Sequence, residues 1–187
     1  MNRFACAVLL GVVMCGGCGG DHVLTNKFDQ GWWRGEFMSS TGTVGEQWPE
    51  REEDYFLLAA AEYEWPVQER ITLAARGYPL FFYNLRGSVK DRKDDIFGVG
   101  VGAALRFYAQ EIKSKGFYGE IGSAVLWHDD YMPGNGSKVN FLSDAGIGYD
   151  FGNSWAVTLK IFHLSNAGLD EDNAGFDGLT FGVSKTF

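Results

Sequence analysis

Trp155-Ala-Val-Thr-Leu-Lys-Ile-Phe-His163-Leu-Ser165-Asn166-Ala-Gly168, followed after a polar loop by Asp177-Gly-Leu-Thr-Phe-Gly-Val-Ser-Lys-Thr-Phe187, is the stretch on which the reading of this chain turns. Successive side chains of a strand point to opposite faces. Trp155, Val157, Leu159, Ile161, His163 and Ser165 therefore share one face, and Ala156, Thr158, Lys160, Phe162 and Leu164 the other. The next segment sets Asp177, Leu179, Phe181, Val183, Lys185 and Phe187 against Gly178, Thr180, Gly182, Ser184 and Thr186. One apolar stripe thus ends in a base and a hydroxyl, and the following stripe begins with an acid. In a soluble domain such stripes turn inward and bury the polar triplet. In a membrane barrel they meet lipid, and the triplet sits at one rim.

Working outward from that pair, Phe97 to Tyr108 decides in favour of the barrel. Phe97, Val99, Val101, Ala103, Leu105 and Phe107 lie on one face, with Gly98, Gly100, Gly102, Ala104, Arg106 and Tyr108 on the other. Large apolar residues outside with small or polar ones inside suit a narrow transmembrane barrel. The same alternation predicts strands over about 31–40, 54–65, 69–83, 117–127 and 139–151, the third interrupted near Gly77 and Pro79. The fold class is therefore all-β, an eight-stranded antiparallel transmembrane β-barrel of the outer membrane. Its connections alternate long (about 41–53, 86–95, 128–138 and 166–176) with shorter (66–68, 110–115 and 152–153). Short periplasmic turns and longer external loops are the pattern of outer-membrane barrels, so His163, Ser165 and Asp177 fall at the external rim.

Composition agrees with one folded domain, at 45% apolar and 16% aromatic residues in 187. Arg3 followed by the short apolar run Phe4 to Met14 predicts a secretory leader over about residues 1–20, with the barrel domain over 21–187. All three cysteines, Cys6, Cys15 and Cys18, lie within that leader, which excludes a disulfide framework or thiolate metal site in the mature domain. Cys15-Gly-Gly-Cys18 loosely resembles a lipoprotein processing site. A net charge of −8 without a basic patch argues against nucleic acid as a partner. Beyond the leader no apolar run is long enough for a helical span.

His163 and Ser165 stand about 7 Å apart along one face of a strand. An antiparallel hairpin brings Asp177 opposite or diagonal to them. Ser, His and an acid so placed have the roles of nucleophile, base and orienting carboxylate, and Asn166 could donate to an oxyanion. The bland alternative is capping of the loop by Asn166, Asp170 and Asp172. His128-Asp129-Asp130 reads as a polar loop before a metal site. Asp144 and Asp150 read as lumen hydration sites or salt-bridge partners of Arg106 and Lys160 rather than as paired general acids. Trp65, Trp127 and Trp155 read as interfacial anchors.

The run His163-Leu-Ser165-Asn166-Ala167-Gly168, with Asn173-Ala-Gly175 and an acidic residue at 177, resembles the signature of the outer-membrane lipid A 3-O-deacylases of the PagL type. The resemblance implies a barrel that hydrolyses the ester-linked acyl chain at the 3 position of lipid A, with lipopolysaccharide as substrate and no cofactor or metal. It implies Ser165 as nucleophile, His163 as base, Asp177 as the acid, and the Asn166 side chain and Gly168 backbone as oxyanion donors. Asp177 stands where that family usually has Glu, which leaves a loop acid such as Glu171 as the alternative. Ala174 replaces the Pro usual between the downstream Asn and Gly. Pairing with a second copy of the chain is left open. The competing reading is a non-catalytic structural or adhesive barrel; a secreted soluble β-protein is a third.

Overall fold

The computed structural model describes residues 27–41, 55–84, 95–132 and 134–187. The leader region, Cys18 and most of two of the long connections lie outside the described residues. Eight antiparallel strands close on themselves in sequence order. They are β1 (Trp32–Thr41), β2 (Tyr55–Gln68), β3 (Ile71–Asn84), β4 (Asp95–Tyr108), β5 (Gly116–His128), β6 (Val139–Asp150), β7 (Trp155–Ser165) and β8 (Phe176–Thr186). Each pairs with its chain neighbour, and β1 with β8 closes the ring.

Two expectations move. The turn placed at 66–68 belongs to β2, which pairs through Gln68 with Ile71, so the reversal falls on Glu69 and Arg70. Pro66 reads as a breaker, yet a strand tolerates it where no ladder N–H is required. The interruption in β3 is a bulge within one continuous strand: Tyr78 pairs Gly100 and Phe81 pairs Gly98, leaving an extra residue at Pro79–Leu80. It switches the inward set from Thr72, Ala74, Arg76 and Tyr78 to Phe81 and Tyr83, which simple alternation cannot anticipate.

The wall is inverted relative to a soluble barrel. Phe97, Val101, Ile121, Ile147, Leu159, Ile161 and Phe181 point outward and are exposed. The lumen is filled, as an eight-stranded barrel permits. Towards the rim with the long loops, Met38, Phe56, Leu58, Phe81, Leu126, Phe162 and Phe176 form an apolar cluster. Below it Arg106 reaches three carboxylates, Glu62 and Glu120 at 2.5 Å and Glu64 at 2.7 Å. Lys160 joins Glu36 at 2.9 Å and Glu120 at 2.6 Å. Asp144 pairs with Arg76, at 3.4 Å, rather than with Arg106 or Lys160. Asp150 caps the 151–154 turn by accepting the Gly152 N–H at 2.7 Å. Lumen neighbours are set by the shear of the barrel, which strand-by-strand reading does not contain, so the salt bridge of Asp144 goes to Arg76, while Asp150 serves the turn.

That shear also places the site. One hydrogen-bonded row runs Trp33, Tyr63, Ala75, Ala103, Ser123, Ser143, His163 across β1 to β7. It starts at the short-turn rim and ends at the long-loop rim. Trp33 accepts the Phe187 N–H at 2.9 Å, whereas His163 pairs with Asp177, so one circuit climbs from residue 187 to residue 177 of the C-terminal strand. A strand tilt of about 40° follows from such a stagger.

Candidate active site

His163 and Asp177 are direct cross-strand partners on the outward face of the β7–β8 hairpin. His163 Nδ1 lies 2.7 Å from Asp177 Oδ1, and His163 Nε2 lies 3.1 Å from Ser165 Oγ. The carboxylate accepts the Nδ1–H, which fixes the tautomer and leaves Nε2 with a lone pair to accept the serine O–H. The His163 and Asp177 side chains are 49% and 63% exposed, while Ser165 is 9% exposed. The acid and base are thus open on the barrel wall and the hydroxyl is recessed at the rim.

The backbone turns sharply after Ser165. Ala167 and Gly168 both have positive φ, 54° and 83°, a conformation that glycine adopts readily and alanine at a cost. Asn166 is completely buried and holds this turn. Its Oδ1 accepts the Gly168 N–H at 2.8 Å, its Nδ2 donates to the Asp172 carbonyl at 2.9 Å, and its own N–H donates to Asn173 Oδ1 at 3.0 Å. Asp170 Oδ1 accepts the Asp172 N–H at 3.0 Å. Asn166 and Asp170 thus cap the loop through their side chains and Asp172 joins through its backbone, alongside the linked Ser–His–Asp geometry. Gly175 has φ 67°, and a Cβ there would stand 3.3 Å from His163 Cε1, so a glycine lets the loop pass close behind the imidazole. Glu171 is exposed in the loop, and the carboxylate beside His163 is that of Asp177.

Asn173, Asn135 and Asn140 are contributors that sequence reasoning passed over or quoted without a role. No periodicity marks them, because they act from irregular loops and a strand end. His128, expected in a polar loop at a strand end, is the last residue of β5 and is fully buried against Phe81, with ring centroids 4.8 Å apart. Asp129 Oδ1 accepts the Phe97 N–H and Asp130 Oδ1 the Tyr131 N–H, so the three residues diverge. Among the described residues no group of three or more His, Cys, Asp or Glu side chains is arranged to hold a metal.

Beside His163 the outward row descends through Ser143, Ser123, Ala103 and Ala75. It is flanked by Val125 and Val101 on one side and by Ile161 and Ile121 on the other, all exposed. Small residues between two ridges of large ones make a furrow leading from the site down the lipid-facing wall.

A family model described as "Lipid A 3-O-deacylase (PagL)" matches residues 27–186. No curated protein matches the sequence. Among solved structures, "Crystal structure of the outer membrane enzyme PagL" is similar with a TM-score of 0.62 at 17% identity, covering 81% of this chain and 98% of that one. The outer membrane protein OprG from Pseudomonas aeruginosa gives a TM-score of 0.49 at 11% identity, covering 84% and 95% of the two chains.

Proposed function

The chain belongs to the lipid A 3-O-deacylase (PagL) family, and from that premise we propose that it is a serine esterase whose Ser165, His163 and Asp177 cleave the 3-position acyl ester of lipid A at the outer-membrane surface. The observation that carries this reading is the unbroken chain of contacts from Asp177 Oδ1 through both ring nitrogens of His163 to Ser165 Oγ. Ser165 Oγ attacks the ester carbonyl while His163 Nε2 takes its proton. The tetrahedral intermediate collapses as the imidazolium returns the proton to the departing sugar oxygen. Water, deprotonated by the same nitrogen, then attacks the acyl-serine and releases the fatty acid. Asp177 holds the ring and offsets its positive charge.

The Asn166 amide donates one of its two hydrogens to Asp172, which leaves the second for an oxyanion. The Gly168 N–H is engaged by Asn166 Oδ1, so it serves as the second donor once substrate displaces that contact. Residues 1–20 are the export leader in this reading and 21–187 the barrel domain. The long-loop rim faces outward, and lipopolysaccharide reaches the site by lateral diffusion, its scissile acyl chain lying in the furrow below His163.

Mass spectrometry of lipid A from a bacterial host expressing the chain tests the function. The expected spectrum lacks one 3-position acyl chain. Unchanged lipid A beside a folded, inserted barrel would sink the deacylase reading in favour of the non-catalytic barrel.

Two further results are expected. Asp177→Asn lowers kcat about 100-fold, less than for a buried triad acid, because solvent around this exposed carboxylate screens its charge. A kcat equal to the parent's would move the acid role elsewhere. Ser123→Phe fills the furrow away from the reacting atoms and raises KM about tenfold, the equivalent of about 1.4 kcal/mol of lost acyl contact. An unchanged KM would place the acyl chain on another part of the wall.

A further inference from the structure

Ser165 is the last residue of β7, so the backbone that follows it is held by loop contacts alone. Those contacts form a relay of four asparagines that ends in a neighbouring strand. The Asn166 N–H donates to Asn173 Oδ1 at 3.0 Å. Asn173 forms an isolated antiparallel bridge with Asn135 in the 129–138 loop. Two backbone bonds reinforce it, Gly136 N–H to the Asp172 carbonyl at 2.7 Å and Ala174 N–H to the Gly134 carbonyl at 2.8 Å. The side chain of Asn135, which is 7% exposed, donates through Nδ2 to Oδ1 of the fully buried Asn140. Asn140 Nδ2 donates to the Ser137 carbonyl at 3.1 Å. The relay closes on the site, because Asn140 adjoins Phe141, the cross-strand partner of Ser165.

Buried amides must find partners, so this connection has one favourable arrangement rather than many. Ala167 and Gly168 sit in left-handed conformations that a free loop would leave. What keeps them there is anchored, through Asn173, to the 129–138 loop and β6.

We propose that Asn135 and Asn140 are positioning residues of the esterase, acting through Asn173 to fix the Asn166–Gly168 turn beside the nucleophile. The proposal rests on the serine-esterase reading and adds to it a second loop without which the oxyanion side of the site is loose. Neither residue touches the Ser–His–Asp chain. Both act on geometry, where a displacement of about 1 Å costs about 100-fold in rate.

The test measures kcat and KM on lipid A in mixed micelles for the parent, Asn135→Ala, Asn140→Ala and the double variant. Heat-dependent gel mobility reports whether each barrel is folded. Each single variant is expected to lower kcat about 10- to 100-fold with KM unchanged, and the double variant to be no slower than the worse single one, since both break the shared Asn135–Asn140 bond on which the relay depends. The rate at which a serine-directed phosphonate labels Ser165 is expected to fall in step with kcat. Asn135 lies outside the strand ladder, so its variant is informative even if loss of Asn140 prevents folding. Parental kcat in folded Asn135→Ala, or a raised KM with unchanged kcat, overturns the proposal alone. A folded parent that hydrolyses nothing and resists the serine-directed phosphonate at Ser165 overturns the esterase reading and this inference with it.

Discussion

Ser165→Ala removes hydrolysis of the lipid A ester, lowering kcat by about 10³- to 10⁶-fold, while the barrel still inserts and keeps its heat-dependent gel mobility. The size follows from the role, since without Oγ no acyl-enzyme can form and only the oxyanion donors and bound geometry remain to assist water. Folding is spared for a separate reason. The serine hydroxyl is linked to His163 Nε2 on the outer wall, whereas the closed ladder and the filled lumen hold the barrel together. His163→Ala is expected to match it, and the His163→Ala/Ser165→Ala double variant to be no slower than either, because the two residues act as one unit. Lipid A from cells expressing each variant, compared by mass with that from the parent, checks this. Deacylation retained in Ser165→Ala would require a different nucleophile.

Arg106→Ala is the second large effect, and it falls on stability. Arg106 is buried in the lumen and its guanidinium serves Glu62, Glu64 and Glu120 together. Removing it leaves three carboxylates close to one another with one fewer cation among them. Breaking a single buried pair from one side costs about 3–5 kcal/mol, and here one side chain breaks three. The expected result is a barrel that refolds poorly or unfolds at much lower urea concentration. Arg106→Lys should fall between, since a single ammonium keeps the charge and loses the planar fork that spans several carboxylates. Urea midpoints in a fixed detergent measure both. Activity per folded molecule should be unchanged, because the network lies below the apolar cluster on the inner face and the Ser–His–Asp chain is on the outer one. A midpoint equal to the parent's would mean that lumen water replaces the guanidinium.

The alternation along the Phe97 strand and the C-terminal hairpin was enough to determine the barrel architecture and the outward face, and its recurrence over the other five segments gave the strand number. A period of two fixes which residues share a face, and small or polar residues opposite large apolar ones fit a wall with lipid outside, where a soluble sheet would need a second sheet to cover them. His163 and Ser165 on one face of one strand were legible for the same reason, as they are two residues apart. Pairing partners were not, because they depend on shear and register accumulated around the ring. The hairpin made Asp177 a candidate, but only the β7–β8 register sets it against His163 in place of Glu171; the bulge in β3 changes its inward parity, and the packing of the closed lumen brings Asp144 to Arg76. Asn135 and Asn140 belong to the same class. They reach Asn166 through a bridge between two loops that are neighbours only because β5, β6, β7 and β8 stand side by side, and no local sequence pattern records a contact between two separate hairpin loops.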